Sequence, residues 1–294
     1  MQQYKGYLVV SDLDGTLINS NQKVSKQNMD AIAHFVEEGG LFAVATGRTE
    51  LNVKPFIRGL DINCPCILYN GAGIYDLEKQ QFIKCSYLDR AQLLGPMEKI
   101  LAEHKTLCMQ IFTPGKMFIT SGPETVDPVV TAEGQSFELV SLQEAAGHEW
   151  VKVLLHCTNP VLLDIESFLG RTLAPGVVNS VFSTSTYLEL LPFAVSKGSA
   201  LLELLDIVKV ERENSIAIGD YHNDMEMVAA AGLGVATANA HQALKDTADL
   251  ITVSNDEHAI HTLIYREIPE YRRRLKESRR KRLYNSGMEG ASLN

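Results

Sequence analysis

The sequence lacks any long apolar run. None of its apolar stretches reaches the roughly 18 residues that a membrane-spanning helix needs. Residues 1–5 show no signal-peptide pattern before a predicted strand begins. These absences predict a protein without a membrane span, and we expect it to be cytoplasmic.

The sequence also lacks a disulfide or zinc framework. It contains five cysteines, an odd number with no framework spacing. Cys64 and Cys66 stand one residue too close for a redox pair, and no Cys or His partners for zinc lie nearby in the sequence. This pattern predicts free thiols in a reducing compartment.

Positive charge is scarce except near the carboxyl terminus. The formal net charge of −9 argues against a general nucleic-acid binder. Residues 266–283 nevertheless hold nine basic and three acidic residues. This basic segment is either a solvated helix or tail, or an arm that docks an anion or a partner.

The apolar pattern predicts an α/β fold. Short apolar runs at residues 7–11, 41–45 and 66–69 are typical of strands buried on both faces of a parallel sheet. Helices are predicted from a Ser25 cap through Val36 and at about 50–60. The alternation indicates a doubly wound, Rossmann-like, mostly parallel sheet.

The alternation of strands and helices is interrupted and then returns. Hairpins and helices after residue 80 indicate an α+β pattern with antiparallel pairing, and strand–helix alternation resumes from Lys197. At roughly 150 residues per domain, the length suggests about two domains. We therefore predict a discontinuous core of residues 1–80 and 190–294 and an inserted cap domain of residues 81–189.

Acidic residues follow the predicted strands. Asp12 and Asp14 come after the first strand, and Asp220 and Asp224 after the strand at 215–218. Since ligands bind beyond the carboxyl ends of parallel strands, we expect these carboxylates to converge. Such a set would repel itself without a cation, and oxygen ligands suit Mg²⁺.

A metal beside carboxylates suggests phosphoryl transfer. One of Asp12 and Asp14 can act as nucleophile and the other as general acid and base. The Thr46 hydroxyl and the Gly47 N–H can bind phosphate oxygens. Lys197 opens a predicted helix, where its charge and the helix end both favour an anion.

Sequence motifs now indicate a family. The sequences Asp-Leu-Asp-Gly-Thr-Leu (12–17), Ala-Thr-Gly-Arg (45–48), Ser-Lys-Gly (196–198) and Gly-Asp-x-x-Asn-Asp-x-x-Met (219–227) resemble the four motifs of haloacid dehalogenase-like phosphatases. Asn-Gly-Ala (70–72) and Leu-Glu-Leu-Leu-Pro (188–192) are similar to the Cof-type subfamily, whose members carry a large α/β cap (type IIB) between the second and third motifs. The resemblance extends to about residue 265.

The resemblance implies a role for each matching residue. It makes Asp12 the nucleophile, which forms an aspartyl-phosphate, and Asp14 the general acid and base. It also implies phosphate binding and Mg²⁺ ligation by two further sets of residues. The phosphate set is Leu13 through its N–H, Thr46, Gly47, Lys197 and Asn223, and the metal set is Asp12, Asp14 through its main-chain carbonyl, and Asp220. Asp224 would orient the metal's waters or Lys197 from outside the ligand shell.

The predicted function is therefore a Mg²⁺-dependent phosphatase for a small phosphomonoester, such as a sugar phosphate, a phosphorylated cofactor or a nucleotide. Two alternatives remain: a non-catalytic phosphometabolite sensor that docks a partner through the basic segment, and a phosphomutase. Arg48 could contact either substrate or a carboxylate. The sequence does not indicate the substrate or the oligomeric state.

Overall fold

Two β-sheets organise the molecule in the computed structural model, which describes residues 2–277. The first five strands along the chain belong to the larger sheet. Every residue of the first strand is buried, as its continuous apolar run predicted. These strands are β1 (Leu8–Asp12), β2 (Leu41–Ala45), β3 (Cys66–Leu68), β4 (Gly73–Asp76) and β5 (Gln81–Cys85).

The next six strands form the smaller sheet. They are β6 (Cys108–Thr113), β7 (Lys116–Ile119), β8 (Glu138–Leu139), β9 (Lys152–His156), β10 (Val178–Thr184) and β11 (Tyr187–Pro192). Their order is β10-β11-β9-β6-β7-β8, antiparallel except between β7 and β8. The hairpins predicted after residue 80 thus form a mainly antiparallel sheet.

The chain then returns to the larger sheet with β12 (Ser215–Gly219), β13 (Leu233–Ala236) and β14 (Leu250–Ile251). Its order is β14-β13-β12-β1-β2-β3-β4-β5. The first six strands in this order run parallel, and β4 and β5 are antiparallel. The predicted α/β fold with a mostly parallel, Rossmann-like sheet is confirmed.

Helices cover both faces of the larger sheet and one face of the smaller one. They are α1 (Lys26–Glu37), α2 (Lys54–Ile57), α3 (Arg90–Glu103), α4 (Pro128–Ala132), α5 (Leu142–Ala145), α6 (Asn159–Thr172), α7 (Lys197–Val208), α8 (Met225–Ala230), α9 (Gln242–Thr247) and α10 (Ala259–Thr262). A π-helical stretch, Leu263–Glu267, follows α10, and residues 268–277 are helical.

Alternate residues of β1 pack into different apolar clusters. Val9 packs in the cluster that contains Phe35 of α1, whereas Leu8 and Val10 pack in the cluster that contains Leu201 of α7. Successive strand residues point to opposite faces, so both sides of this sheet require helical cover. A third cluster joins α3 and α6 to the smaller sheet around the buried Trp150.

The strands of the two sheets begin and end at residues slightly different from the predicted domain boundaries. β5 lies beyond the predicted boundary at residues 80 and 81, yet it pairs with β4 in the larger sheet. The turn between them is closed by Asp76, whose carboxylate accepts backbone N–H bonds from Glu78 and Lys79. At the other end, β11 continues past residue 189. The chain therefore crosses between the sheets within residues 86–107 and 193–196.

The predicted helix at about 50–60 is mostly wrong. Only α2 is helical there, because Thr49 and Asn52 form a turn whose side chains bond backbone N–H groups. Pro55 stands in the first turn of α2, and Gly59, with φ of +82°, follows its end. Positive φ is incompatible with a right-handed helix.

The basic segment is only partly described. Arg266 pairs with Glu267, Arg274 pairs with Glu270, and the Arg272 guanidinium lies 4.9 Å from the centre of the Tyr7 ring. Residues 278–283 lie outside the described residues, so a docking role for this segment stays a prediction.

Two simpler predictions concern cysteine and the membrane. The five cysteines are unpaired thiols, as predicted. Within residues 2–277, none of the helices combines the length and the apolar character that crossing a bilayer requires.

Candidate active site

A cleft lies where the parallel strands end. Asp12 ends β1, Thr46 follows β2, Asn70 follows β3 and Asp220 follows β12. Because these strands are parallel neighbours, their carboxyl ends meet at one edge of the sheet. Side chains of the smaller sheet, among them Gln110, Lys152 and Glu189, line the opposite wall. The cleft has a volume of about 670 Å³.

A buried lysine joins two carboxylates at the floor of this cleft. Lys197 Nζ lies 2.6 Å from Asp12 Oδ1 and 2.7 Å from Asp224 Oδ1. Its side chain is fully buried. Burial alone would lower the pKa of Lys197, but the charges of Asp12 and Asp224 outweigh it and the pKa is raised. Lys197 is therefore held as a cation beside the predicted nucleophile.

Lys197 reaches this position from the start of α7. Ser196 caps that helix, since its hydroxyl accepts the Ser199 backbone N–H and its own backbone N–H bonds the Ser199 hydroxyl. Gly71 packs against the same turn so closely that a Cβ there would collide with the Ser196 carbonyl oxygen. The capped helix start thus fixes both the ammonium group and its approach to Asp12.

Asp12, Asp220 and Asp224 form a compact acidic cluster. One oxygen from each lies within 4.8 Å of the others. Burial and the charge of Asp224 raise the pKa of Asp12 well above its usual range, against the opposing effect of Lys197. Burial and Asp224 also raise the pKa of Asp220 to about 6, although Thr16 donates a hydrogen bond to it.

This cluster fits a divalent cation. Three carboxylate oxygens this close repel one another, and a hard cation such as Mg²⁺ relieves that repulsion. Gly15, with φ of +83°, makes the approach possible because a Cβ there would collide with the Asp220 carboxylate. Asp224 Oδ2 accepts the backbone N–H groups of Asp220 and Tyr221. Asp224 thereby holds both the Asp220 loop and Lys197.

The Asp14 carboxylate lies outside that cluster. Arg48 Nε and Nη2 each donate to it at 2.8 Å in a bidentate pair. The guanidinium also lies 3.8 Å from the centre of the Phe56 ring and 3.6 Å from Glu133, at the end of α4. Of the two predicted interpretations of Arg48, the structure shows pairing with a carboxylate.

The predicted phosphate-binding residues surround the same floor. Thr46 is buried and its hydroxyl accepts the Arg48 backbone N–H. A Cβ on Gly47 would lie 3.0 Å from Asn70 Nδ2, so the backbone approaches Asn70 closely. Asn223 Nδ2 donates to Asn70 Oδ1 at 3.0 Å. Leu13 follows Asp12, with its side chain buried in the core. These residues are assembled, while their contacts with phosphate remain predictions.

Sequence reasoning missed two charged residues of the cleft wall. Lys152 Nζ donates to the Gly47 carbonyl at 2.9 Å and lies 3.1 Å from Glu189 Oε2. The same Glu189 oxygen accepts Asn70 Nδ2 at 2.8 Å. The sequence held a signal for each residue. Lys152 stands in a mainly apolar strand, and Glu189 belongs to the 188–192 motif, which was used only to indicate the subfamily.

Glu50 was also missed, and it joins the two sheets. Its carboxylate accepts the Tyr69 hydroxyl at 2.6 Å and the backbone N–H of Gly115 at 2.7 Å. Gly115 lies between β6 and β7 of the smaller sheet, whereas Tyr69 follows β3 of the larger one. No local sequence pattern marks such a bridge, because its partners lie far along the chain.

Comparisons with known proteins agree with this geometry. The family profile of the haloacid dehalogenase-like hydrolases matches residues 9–264. The phosphatase YwpJ of Bacillus subtilis is 28% identical, with 86% of this chain and 96% of that protein covered. The 5-amino-6-(5-phospho-D-ribitylamino)uracil phosphatase YcsE of the same organism is 27% identical, with 86% and 92% covered.

A solved structure is similar as well. A haloacid dehalogenase-like hydrolase from Bacteroides thetaiotaomicron superposes with a TM-score of 0.77 at 29% identity, over 90% of this chain and 99% of that one. The family resemblance, the fold and the enzyme class predicted from the motifs are confirmed by these matches. The chain belongs to the haloacid dehalogenase-like hydrolase family and is an enzyme of its phosphatase type.

Proposed function

We propose that this protein is a Mg²⁺-dependent phosphatase that hydrolyses a small phosphorylated metabolite through an aspartyl-phosphate on Asp12. The observation that carries the proposal is the placement of Asp12. It lies at the end of β1, facing the cleft, 2.6 Å from a fully buried lysine and within a three-carboxylate cluster. A nucleophile beside a fixed cation at the floor of a cleft suits attack on an anionic ester.

The two aspartates divide the chemistry. Asp12 attacks phosphorus, a carboxylate O–P bond forms, and the ester P–O bond breaks. Asp14 gives its proton to the leaving alkoxide and then takes a proton from the water that hydrolyses the aspartyl-phosphate. Arg48 orients Asp14 through the bidentate pair. The product is inorganic phosphate, and Asp12 is regenerated.

The remaining residues hold the phosphate and the cation. Lys197, Thr46, Gly47, Asn223 and the Leu13 N–H would bind the phosphoryl oxygens. Mg²⁺ would be held by Asp12, Asp220 and the Asp14 main-chain carbonyl, with Asp224 supporting Lys197. When bound, the ion neutralises the repulsion between the Asp12 carboxylate and the anionic ester.

The substrate is expected to be small. A cleft of about 670 Å³ between two sheets suits a metabolite and excludes a folded phosphoprotein. The name of one relative gives 5-amino-6-(5-phospho-D-ribitylamino)uracil as its substrate, which is a molecule of this size class. We propose that this chain also acts on a phosphorylated small molecule, in the cytoplasm.

The test is phosphate release from a panel of phosphomonoesters with and without Mg²⁺. Asp12→Asn should lower kcat at least about 10³-fold, because it removes the nucleophile. Asp30→Asn is the matched control, since Asp30 is exposed and pairs with Lys26 on α1. Full activity in Asp12→Asn, or no hydrolysis of any ester by the wild type, would contradict the proposal. A product that keeps its phosphate on another oxygen, seen by phosphorus NMR, would indicate a mutase instead.

A further inference from the structure

One carboxylate of the cleft has an oxygen without a hydrogen-bond donor among residues 2–277. Glu189 of β11 is only 4% exposed and lines the cleft. Its Oε2 takes part in both contacts described above, with Asn70 Nδ2 at 2.8 Å and Lys152 Nζ at 3.1 Å. Its Oε1 accepts no hydrogen bond from any residue in the described part of the chain. Because Glu189 lines the cleft, this oxygen can accept a hydrogen bond from water or from a ligand bound there.

Hydrogen bonds connect Glu189 to residues of the predicted phosphate site. Asn70, which holds Glu189, also accepts from Asn223 and touches Gly47. Lys152, the other partner, donates to the Gly47 carbonyl. A group that meets Glu189 therefore stands next to the phosphoryl group, on its leaving-group side, where the smaller sheet faces the cleft.

We propose that Glu189 is a specificity-determining residue that accepts a hydrogen bond from a hydroxyl of the leaving group close to the phosphate. The preferred substrate would then be the phosphate of a polyhydroxylated molecule. The proposal rests on the phosphatase function proposed above.

A neutral donor fits this position better than a charged one. The Lys152 ammonium is already 3.1 Å from the carboxylate and is buried. A second cation would be repelled by Lys152 at short range, whereas a hydroxyl adds no charge. A substrate without a donor would displace the water bound to Glu189 Oε1. The oxygen would then lack a hydrogen-bond partner, which lowers the affinity for that substrate.

The proposal is tested with three phosphates on one three-carbon skeleton: glycerol 3-phosphate, propyl phosphate and 3-aminopropyl phosphate. The wild type should favour glycerol 3-phosphate over propyl phosphate by about tenfold or more in kcat/KM, because a site built around a charged acceptor discriminates against a partner that lacks the donor. Equal values for the two esters would overturn the proposal.

Glu189→Gln should lower this ratio at least about fivefold, since a neutral amide oxygen accepts a weaker hydrogen bond. If Glu189 only positioned Asn70 and Lys152, both esters would lose rate equally, and an unchanged ratio would overturn the proposal. A larger effect of the substitution on 3-aminopropyl phosphate than on glycerol 3-phosphate would also overturn it, because a cation would then be the ligand.

Two controls separate this inference from the general function. Glu138→Gln removes an exposed carboxylate from the same sheet, where it pairs with Lys116, and should leave the ratio unchanged. Hydrolysis of 4-nitrophenyl phosphate, measured in wild type and in Asp12→Asn, reports the phosphatase activity alone. If that hydrolysis depends on Asp12 while the glycerol-to-propyl ratio is one, the specificity inference is wrong and the phosphatase proposal stands.

Discussion

The aspartates of this site occupy two different environments. Asp12 and Asp220 share a buried cluster with Asp224, and their pKa values are raised. Asp14, only two residues from Asp12, is half-exposed and bound by Arg48. The two neighbouring carboxylates are thus held by different partners, Asp12 by Lys197 and Asp14 by Arg48.

The raised pKa of Asp220 makes stability depend on pH. Because its pKa is about 6 in the folded chain against roughly 4 when unfolded, the folded state binds the proton more tightly. In Mg²⁺-free buffer this group therefore weakens the fold as pH rises from about 4 to 6, and the loss is complete above 6. Asp220→Asn should become progressively more stable than wild type over that window, as measured by urea unfolding at each pH.

The control for this prediction is Asp246→Asn, at an exposed residue that hydrogen-bonds Gln242. Its stability difference from wild type should not change between pH 4 and 6. Added Mg²⁺ should stabilise the wild type at pH 7 far more than at pH 5, since metal ligands must be deprotonated. A difference between Asp220→Asn and wild type that is constant with pH would contradict the assigned burial and repulsion.

At the scale of single elements, α7 connects sequence pattern and site most directly. Its start was predicted at Lys197, and the helix begins there. The reason is local: Ser196 and Ser199 form reciprocal bonds across the first turn, and an apolar stripe that includes Leu201 and Leu204 faces the sheet. The prediction of a helix at about 50–60 was mostly wrong because the side chains of Thr49 and Asn52 form a turn that competes with helical hydrogen bonds.

Removal of the α7 cap should destabilise the fold. Ser196→Ala leaves the Ser199 N–H without its side-chain acceptor, and we expect a loss of about 1 kcal/mol in the free energy of unfolding. Ser167→Ala, on the exposed face of α6, is the control and should change it by less than about 0.5 kcal/mol. Urea unfolding measures both. Equal stability of the two variants would contradict the assigned role of the cap.

For the molecule as a whole, the cleft exists because two sheets from interleaved parts of the chain face each other. Glu50 bridges them by holding Tyr69 on one side and Gly115 on the other. Lys152 adds a second bridge through the Gly47 carbonyl. Apolar packing holds the sheets together as well, since the rings of Tyr69 and Phe112 are in contact and residues of both sheets share one apolar cluster.

Breaking the Glu50 bridge should loosen the smaller sheet at this edge. Glu50→Ala leaves the Gly115 N–H and the buried Tyr69 hydroxyl unpaired, at a cost of roughly 1–3 kcal/mol. Amide hydrogen exchange in the β6–β7 hairpin should become faster than in wild type. Glu203→Ala, which removes the exposed pair with Lys84, should leave that exchange unchanged. Unchanged exchange in Glu50→Ala would show that other contacts hold the sheets together.

Local patterns along the chain were enough to predict the parallel-sheet fold, the family and the residues at the strand ends. Continuous apolar runs identify buried strands, and strand ends place Asp12, Thr46 and Asp220 at one edge, because these are properties of neighbouring residues. Lys197 pairs with both Asp12 and Asp224. The motif resemblance implied only the second of these contacts, as a possible role of Asp224.

The contacts between the wall of the cleft and its floor could not be predicted in this way. Lys152 and Gly47 are 105 residues apart, and Asn70 and Glu189 are 119 apart, so no local pattern relates them. Their contacts depend on how two sheets pack against each other, which is set by the summed shape of both apolar cores. The same packing leaves one Glu189 oxygen facing the cleft, and with it the property from which a preference for hydroxylated substrates is inferred.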